Sequence, residues 1–217
     1  MQEMFENAVD FLQKKLNGST HIDEAEKRYR FEHSLRVANI AKKIALKEGQ
    51  DVFITTMAAI LHDAGKYDTD SAKDHGRVSA RVARAFLESL NIPEKQVDDI
   101  QYCISVHVDG EAGYKYDPIP EAETVSDADN IDRFGVYRIY QSLRWDDIDK
   151  LDARGIVEKY TDRIRKLDNY LKKGILSTET ANKMFAKNLR MQIRFYKDLI
   201  DELNLTNPLL ECCPCCP

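Results

Sequence analysis

A chain of 217 residues that is 43% hydrophobic and 32% charged is long enough and apolar enough for one sizeable folded core. The formal net charge of −5 argues against a nucleic-acid partner, because such partners select basic surfaces. No apolar stretch approaches the roughly 18 to 20 residues that span a bilayer, and the first helical stretch has acids and no cleavage-site pattern. We therefore expect a cytoplasmic protein without a membrane segment.

The hydrophobic pattern predicts helices nearly throughout the chain. Apolar residues recur at spacings of three and four, and no segment alternates convincingly as a strand would. The expected helices cover residues 3–16, 23–48, 51–63, 75–90, 93–107, 121–144, 152–172 and 177–203. Residues 51–63 are apolar nearly all round, which is typical of a buried helix, and Asp51 is a suitable N-cap. Two glycines and two prolines predict a loop over 109–120, and Gly135 is a weak point within 121–144.

Histidines and aspartates mark the candidate chemistry. Only five histidines occur, and His62 is followed directly by Asp63 at the end of the predicted buried helix. An imidazole and a carboxylate that face an apolar interior need partners, because unpaired burial is costly. A divalent cation satisfies several such groups at once. Asp129 lies between apolar turns of another predicted helix, so these positions are candidate metal ligands.

The order of these residues resembles a known family. His33 in EHSLRVA, His62-Asp63 in LHDAGK and Asp129 in DAD are similar to the H…HD…D signature of the HD-domain metal-dependent phosphohydrolases. The stretch 127–139, DADNIDRFGVYRI, resembles the small cytoplasmic bacterial members, some of which cleave nucleoside triphosphates. The similarity covers residues 25–145. A lone His-Asp pair would mean little, whereas the ordered set is specific.

The resemblance implies that His33, His62, Asp63 and Asp129 together hold a divalent metal ion. Two imidazoles and two carboxylates suit Mn, Fe, Ni, Co or Zn, and also Mg if water fills the coordination sphere. A metal bound there would activate water for attack on phosphorus and neutralise phosphate charge. Asp63 is a candidate for both metal ligand and catalytic base, and the sequence leaves that choice open.

His75 and His107 have several interpretations. Some HD-domain proteins place two further histidines between the His-Asp pair and the last Asp and thereby bind a second metal. His75 and His107 occupy comparable intervals. The relatives with the most similar DAD stretch are mononuclear, and there such histidines line the pocket. A third interpretation is purely structural, with His75 at a helix start and His107 at a helix end, where an imidazolium meets the negative end of the dipole.

Three further residues are candidates for supporting roles. Lys66, within HDAGK, is expected to be catalytic by holding a metal-bound phosphate, and the alternative is a solvent-exposed loop lysine. Asp132 and Arg133 follow Asp129 by one helical turn. They are expected to orient a ligand from the second shell or to contact substrate, and the alternative is an ordinary ion pair within the helix.

The expected organisation is a single all-α domain of the HD-domain type. Residues 23–145 form the HD-type metal-binding catalytic core, and 1–22 supply an N-terminal helix packed on that core. Residues 146–206 supply two long C-terminal helices that complete the same domain. Residues 207–217 form a Cys/Pro tail, whose four cysteines lie too close together to link distant parts of a domain. The tail resembles engineered tetracysteine tags, and its thiolates also suit a soft metal.

The expected function is hydrolysis of a phosphate ester or anhydride in a phosphorylated small molecule, above all a nucleotide. The alternative is a regulatory module that keeps the metal site to sense a nucleotide and turns over little. A helical scaffold with no site is a further alternative, and it predicts a protein without bound metal. The sequence leaves open the metal's identity, the choice between phosphate and pyrophosphate release, and the oligomeric state.

Overall fold

A computed structural model describes residues 1–206, and all regular structure in this range is helical. The α-helices are α1 (Gln2–Asn17), α2 (Glu24–Glu48), α3 (Val52–Leu61), α4 (His75–Ser89), α5 (Glu94–Val106), α6 (Asp109–Ala112), α7 (Pro120–Arg133), α8 (Val136–Trp145), α9 (Ala153–Lys173) and α10 (Glu179–Asn204). Short 3₁₀ turns occur at Lys66–Asp68 and Ile148–Lys150. The all-α prediction is confirmed. The predicted Cys/Pro tail lies outside the described residues.

Two predicted segments differ from the observed helices. The loop predicted over 109–120 contains the four-residue helix α6, whose first residue, Asp109, is fully buried. Its carboxylate accepts two hydrogen bonds from Arg77, at 2.7 and 2.9 Å, and this ion pair fixes the turn. The pairing spans 32 residues, so local pattern alone does not reveal it. The helix predicted over 121–144 is divided into α7 and α8 at Gly135, the weak point of the pattern.

The chain forms two compact units, of which the first comprises Met1–Asp132 and Leu176–Ala181. Within it, α3 packs against α1, α2 and α5, and every residue of α3 from Phe53 to Leu61 is buried. Asp51 caps α3 as expected, because its carboxylate accepts the backbone N–H groups of Phe53 and Ile54, both at 2.9 Å. Each large aliphatic side chain buried here contributes roughly 1.5–3 kcal/mol of transfer free energy. Because α3 is buried, the two residues that follow Leu61, His62 and Asp63, also lie in the interior.

The segment Leu176–Ala181 is attached to the first unit by polar contacts. The backbone N–H of Ser177 donates to Asp127 at 2.9 Å, and the Ser177 hydroxyl donates to Glu123 at 2.7 Å. Burial and the nearby charge of Glu123 raise the pKa of Asp127 to about 7, although the Ser177 hydrogen bonds oppose this shift. The carboxyl of Asp127 therefore attaches this segment to α7 through its hydrogen bond with Ser177.

Among the described residues, the second unit comprises Arg133–Ile175 and residues 182–206. Aromatic rings fill much of its interior. Tyr160 and Tyr196 stack with ring centroids 4.6 Å apart, and Phe134 packs edge-on against Tyr170 and Phe185. Within residues 1–206, no helix is both long enough and apolar enough to cross a bilayer.

Candidate metal centre

His62 and Asp63 lie immediately beyond the buried helix α3. The His62 ring is fully buried, and its Nδ1 lies 2.8 Å from the carbonyl oxygen of Ala59. A carbonyl only accepts hydrogen bonds, so Nδ1 carries the proton and Nε2 presents a lone pair. That Nε2 is buried and has no hydrogen-bond partner among the described residues. An unsatisfied buried acceptor is costly, and a bound cation would satisfy it.

His33 is held on α2 by a carboxylate from α7. Its Nδ1 lies 2.7 Å from Oδ2 of Asp132, and both residues are separated by 99 positions along the chain. Asp132 is in turn held by Arg36, which donates from Nε at 2.7 Å and from its terminal nitrogen at 3.1 Å. The two carboxylate oxygens of Asp132 therefore accept three hydrogen bonds, and these fix the orientation of the His33 ring. Its Nε2 points toward the interior cluster.

A first candidate group of metal ligands consists of His33, His62 and Asp129, one each from α2, the end of α3 and α7. One ligand atom from each lies within 4.8 Å of the other two. Nε2 of His33 is 3.2 Å from Oδ1 of Asp129. Neighbouring ligand atoms on one ion, each at about 2.1 Å from it, are about 3.0–3.4 Å apart. The spacing is therefore that of two adjacent ligands.

A second group shares His62 with the first and adds Asp63 and His107. The rings of His107 and His75 are oriented as that of His62 is, because each Nδ1 lies 2.7 Å from a backbone carbonyl three residues earlier. Their Nε2 atoms are 3.2 Å apart. If both rings were neutral, the lone pairs of the two Nε2 atoms would point at each other. This geometry therefore requires a proton or a cation between the two Nε2 atoms.

The close approach of His75 and His107 depends on Gly76. A Cβ at position 76 would lie 2.6 Å from the backbone oxygen of Ser105 and 3.0 Å from that of Ile104. Only the absence of a side chain there lets the start of α4 lie directly against the end of α5. The two histidines are thereby brought to opposite sides of one small space.

Asp63 is buried and surrounded by cationic or potentially cationic groups. Lys66 Nζ lies 3.2 and 2.9 Å from its two oxygens, and Nε2 of His75 lies 3.2 Å from Oδ1. Burial alone would raise the pKa of Asp63, but the Lys66 ammonium and the hydrogen bond with His75 outweigh burial and hold that pKa well below its usual value. Asp63 is therefore a stable anion.

The histidine pKa values divide the cluster into two parts. Burial lowers the pKa of His107 to about 3, and it also lowers the pKa of His62. Burial acts the same way on His33, but Asp129 and Asp132 outweigh it and raise its pKa to about 9. Neutral imidazoles at positions 62 and 107 are thus available as ligands, whereas a cation that binds His33 must displace a proton.

Arg30 is a site residue that the sequence analysis missed. It lies one turn before His33 on α2, and its terminal Nη1 is 3.8 Å from Oδ2 of Asp63. Its Nε donates to Glu26 at 2.7 Å and to the hydroxyl of Tyr67 at 2.8 Å. A signal was present, because residues three apart on a helix share a face. The helical spacing alone does not reveal the contacts with Asp63 and Tyr67.

Comparison with known proteins agrees with this arrangement. Residues 30–133 match the family model described as the HD domain. This range contains every residue of both candidate groups. Residues 30–133 therefore form an HD domain.

Solved structures place the HD domain in a recognised fold. An HD-superfamily hydrolase from Bacillus thuringiensis aligns with a TM-score of 0.68 at 21% identity, over 94% of this chain and 98% of that chain. Bacillus subtilis YpgQ in complex with ADP aligns with a TM-score of 0.63 at 20% identity, over 93% and 95%. An HD-superfamily hydrolase from an uncultured Thermotogales bacterium aligns with a TM-score of 0.62 at 20% identity, over 93% and 92%. The chain thus has the fold of HD-superfamily hydrolases.

Curated relatives match over a shorter range. Ribonuclease Y of Treponema pallidum is 36% identical over 75 residues, which are 33% of this chain and 15% of that protein. Ribonuclease Y 1 of Pediococcus pentosaceus is 35% identical over 63 residues, which are 28% of this chain and 12% of that protein. The chain therefore spans only a small part of the length of these relatives.

The HD domain brings most of the predicted site residues together. His33, His62 and Asp129 meet in one group, whereas Asp63 is grouped with His62 and His107. Asp63 Oδ2 is 3.7 Å from Nε2 of His62 and 4.0 Å from Nε2 of His33. The four predicted ligands therefore form two overlapping groups, and a shared ion for all four stays a prediction.

The predicted supporting residues have different surroundings. Asp132 lies within hydrogen-bond distance of His33, and its predicted role of orienting a metal ligand stays a prediction. Lys66 is paired with Asp63, and its contact with a phosphate stays a prediction. Arg133 belongs to the second unit, where its carbonyl accepts a hydrogen bond from Arg138 at 3.0 Å, and its role in the site also stays a prediction.

The donor set of the HD domain fits a divalent cation. Imidazole nitrogens together with carboxylate oxygens suit borderline transition metals better than Ca²⁺, which prefers oxygen alone. The orphaned Nε2 of His62 is the structural sign that a ligand position is prepared. The His/Asp groups could therefore hold a metal, and its identity is open between Mn, Fe, Ni, Co, Zn and Mg.

Proposed function

We propose that this HD-domain protein hydrolyses a phosphoanhydride or phosphoester bond of a nucleotide, with a divalent cation held by His33, His62 and Asp129. The observation that carries the proposal is the convergence of these three side chains around the unsatisfied Nε2 of His62. Burying an imidazole nitrogen without a hydrogen-bond partner is costly for folding, and a metal-binding role accounts for that cost.

The bound cation would neutralise phosphate charge and lower the pKa of a water molecule. The side chains around it have separate tasks. Asp63, held as an anion by its neighbours, accepts a hydrogen bond from the attacking water and so orients it. Lys66 Nζ and Arg30 Nη1 both approach Oδ2 of Asp63, at 2.9 and 3.8 Å, so two cations converge where the substrate phosphate would bind.

The His33–Asp132–Arg36 chain supplies orientation. Asp132 accepts the proton on Nδ1 of His33, which leaves Nε2 as the ligand atom and increases its basicity. Arg36 holds both carboxylate oxygens of Asp132 in place. The two charges compensate each other, so the support of His33 adds little net charge to the pocket.

The proposed centre is mononuclear, with the ion in the first group. The second group then lines the pocket, where His75 and His107 contact Asp63 and limit its movement. A second ion between Asp63, His62 and His107 is the competing arrangement. The number of ions per chain separates the two.

A nucleotide substrate is favoured by the structural relatives. Bacillus subtilis YpgQ, which has the same fold over 93% of this chain, is seen in complex with ADP. Two cations beside an anionic ligand cluster also suit a polyphosphate better than a monoester, because two phosphoryl groups can then be held at once.

The test is a screen of divalent metals against nucleoside mono-, di- and triphosphates, with released phosphate and pyrophosphate measured separately. The metal-loaded wild type should cleave at least one nucleotide, and Asp129→Ala should not. Tight nucleotide binding without release of either product by the wild type would instead establish the sensor alternative. Absence of bound metal after purification and reloading would favour the scaffold.

Phosphodiester hydrolysis in RNA is a second candidate, favoured by the 35–36% identity with ribonuclease Y segments. The net charge of −5 opposes it, since RNA binding gains from a basic surface. A single-stranded RNA oligonucleotide belongs in the same screen. Faster cleavage of the oligonucleotide than of any free nucleotide would replace the nucleotide proposal.

A further inference from the structure

The 3₁₀ turn Lys66–Asp68 joins three different elements of the first unit. Lys66 bonds both oxygens of Asp63. Tyr67 bonds the α2 side chains of Glu26 and Arg30. The carboxylate of Asp68 forms an ion pair with Lys15 of α1 at 2.8 Å. Among these three contacts, that of Tyr67 reaches the candidate centre indirectly, through Arg30.

Tyr67, Glu26 and Arg30 form a closed triangle of hydrogen bonds. The Tyr67 hydroxyl donates to Oε1 of Glu26 at 2.7 Å and accepts from Nε of Arg30 at 2.8 Å. The same Nε also donates to Oε1 of Glu26 at 2.7 Å. Two of the three bonds therefore engage Nε of the guanidinium, and the third joins the two acceptors to each other. Its terminal Nη1 lies toward Asp63, at 3.8 Å.

Aromatic rings also contact the guanidinium. Its central carbon lies 5.1 Å from the ring centroid of Tyr29 and 5.8 Å from that of Tyr67. The Arg30 side chain is only 20% exposed. A long arginine side chain normally has many rotamers, and these contacts leave it few.

A carboxylate alone would not fix this orientation. Glu26 lies one turn before Arg30 on α2, and such i,i+4 pairs are weak and permit several geometries. The Tyr67 hydroxyl comes from a different element, 37 residues along the chain, and thus ties Arg30 to the turn that also holds Lys66. The two cations near Asp63 are thus connected to consecutive residues of one turn. Lys66 belongs to that turn, and Arg30 is hydrogen-bonded to its next residue, Tyr67.

We propose that Tyr67 is a positioning residue that, together with Glu26, aims the Nη edge of Arg30 at the substrate phosphate. The proposal rests on the proposed function, in which Arg30 contacts that phosphate. Tyr67 acts through Arg30 and does not itself touch the substrate. Its loss should weaken phosphate binding and leave the metal ligands undisturbed.

The variant that isolates this role is Tyr67→Phe. It removes the hydroxyl and keeps the ring against Arg30. A hydrogen bond to a charged group is lost, so KM for the cleaved nucleotide should rise about tenfold, with kcat changed by less than about twofold. The dissociation constant of pyrophosphate should rise by the same factor, while the metal content and melting temperature stay as in the wild type.

Three further variants separate positioning from general packing. Tyr102→Phe is the matched control, because the Tyr102 hydroxyl also makes two hydrogen bonds in the first unit, both to the backbone of Asp117. It should bind pyrophosphate as the wild type does. Arg30→Gln should weaken pyrophosphate binding at least as much as Tyr67→Phe, and the double variant should bind no more weakly than Arg30→Gln alone.

The closing experiment is calorimetric titration of pyrophosphate into the full chain loaded with Mn²⁺, for the wild type and these four variants. It reads anion binding without turnover, so an inactive wild type would refute the proposed function while a weakened Tyr67→Phe would still support positioning. Wild-type affinity in Tyr67→Phe would overturn the positioning role. An equal further loss when Tyr67→Phe is added to Arg30→Gln would also overturn it, because Tyr67 would then act independently of Arg30.

Discussion

The two candidate ligand groups share His62 and differ in what holds them. In the first group, His33 is oriented by Asp132, 99 residues away. In the second, His107 is oriented by the carbonyl of Ile104, only three residues earlier. The orientation of the His33 ring therefore depends on the approach of α2 and α7, whereas the orientation of the His107 ring is set within the end of α5. A centre assembled in this way should respond differently to changes on its two sides.

The largest effect is expected from His62→Ala, because His62 belongs to both groups. Loss of this ligand should reduce metal affinity and hydrolysis by more than the roughly 100-fold typical of outer-sphere changes. Elemental analysis after dialysis and a phosphate-release assay measure the two losses. His21→Ala, at an exposed position, is the control and should behave as the wild type. Full metal occupancy in His62→Ala would remove the basis for both groups.

Asp132→Asn tests the long-range support of the first group. The amide keeps the shape but loses the charge that acts on Nδ1 of His33 and pairs with Arg36. Metal affinity should fall about 10- to 100-fold, as it does for comparable carboxylate–histidine supports. Titration with a chelating competitor measures it. Asp162→Asn, at an exposed surface ion pair, is the control, and equal affinities in the two variants would show that Asp132 does not support the centre.

The sequence predicts the locally oriented histidines better than the contacts between residues far apart in the chain. His62 and His107 fall at the ends of predicted helices, and the family resemblance marked both as candidates. In the structure, a backbone carbonyl three residues earlier orients each ring. For Asp132, the sequence predicted only that it orients a ligand or contacts substrate, and it did not identify His33 as the partner. Arg30 and Tyr67 were missed because their contact spans 37 residues and depends on the turn after Asp63. Helix boundaries follow from apolar spacing, but the division of the ligands into two groups depends on contacts between residues far apart in sequence, such as His33 with Asp129.

His75→Ala sharpens the assignment of the second group. If that group lines the pocket, the variant should retain one ion per chain and lose roughly tenfold in activity, through release of Asp63 from one of its contacts. Metal stoichiometry and kcat measured on the same sample give both values. Two ions per chain in the wild type would show instead that the second group is a metal site.

Gly65→Ala tests the turn that places Asp63 and Lys66. A Cβ at position 65 would lie 2.8 Å from backbone atoms of both Val78 and Ser79, so the turn or α4 must move. We expect a loss of about 1–3 kcal/mol in the free energy of unfolding, measured by urea titration. Gly110→Ala is the control, because the added methyl group would meet only the Tyr116 hydroxyl at 3.6 Å. Equal stability of the two variants would show that the turn has room to spare.

The most direct measurement is anomalous diffraction from crystals of the full chain loaded with Mn²⁺. The account predicts one strong peak about 2.0–2.3 Å from Nε2 of His33, Nε2 of His62 and a carboxylate oxygen of Asp129. A fully loaded protein whose anomalous peaks all lie away from these three atoms would contradict it.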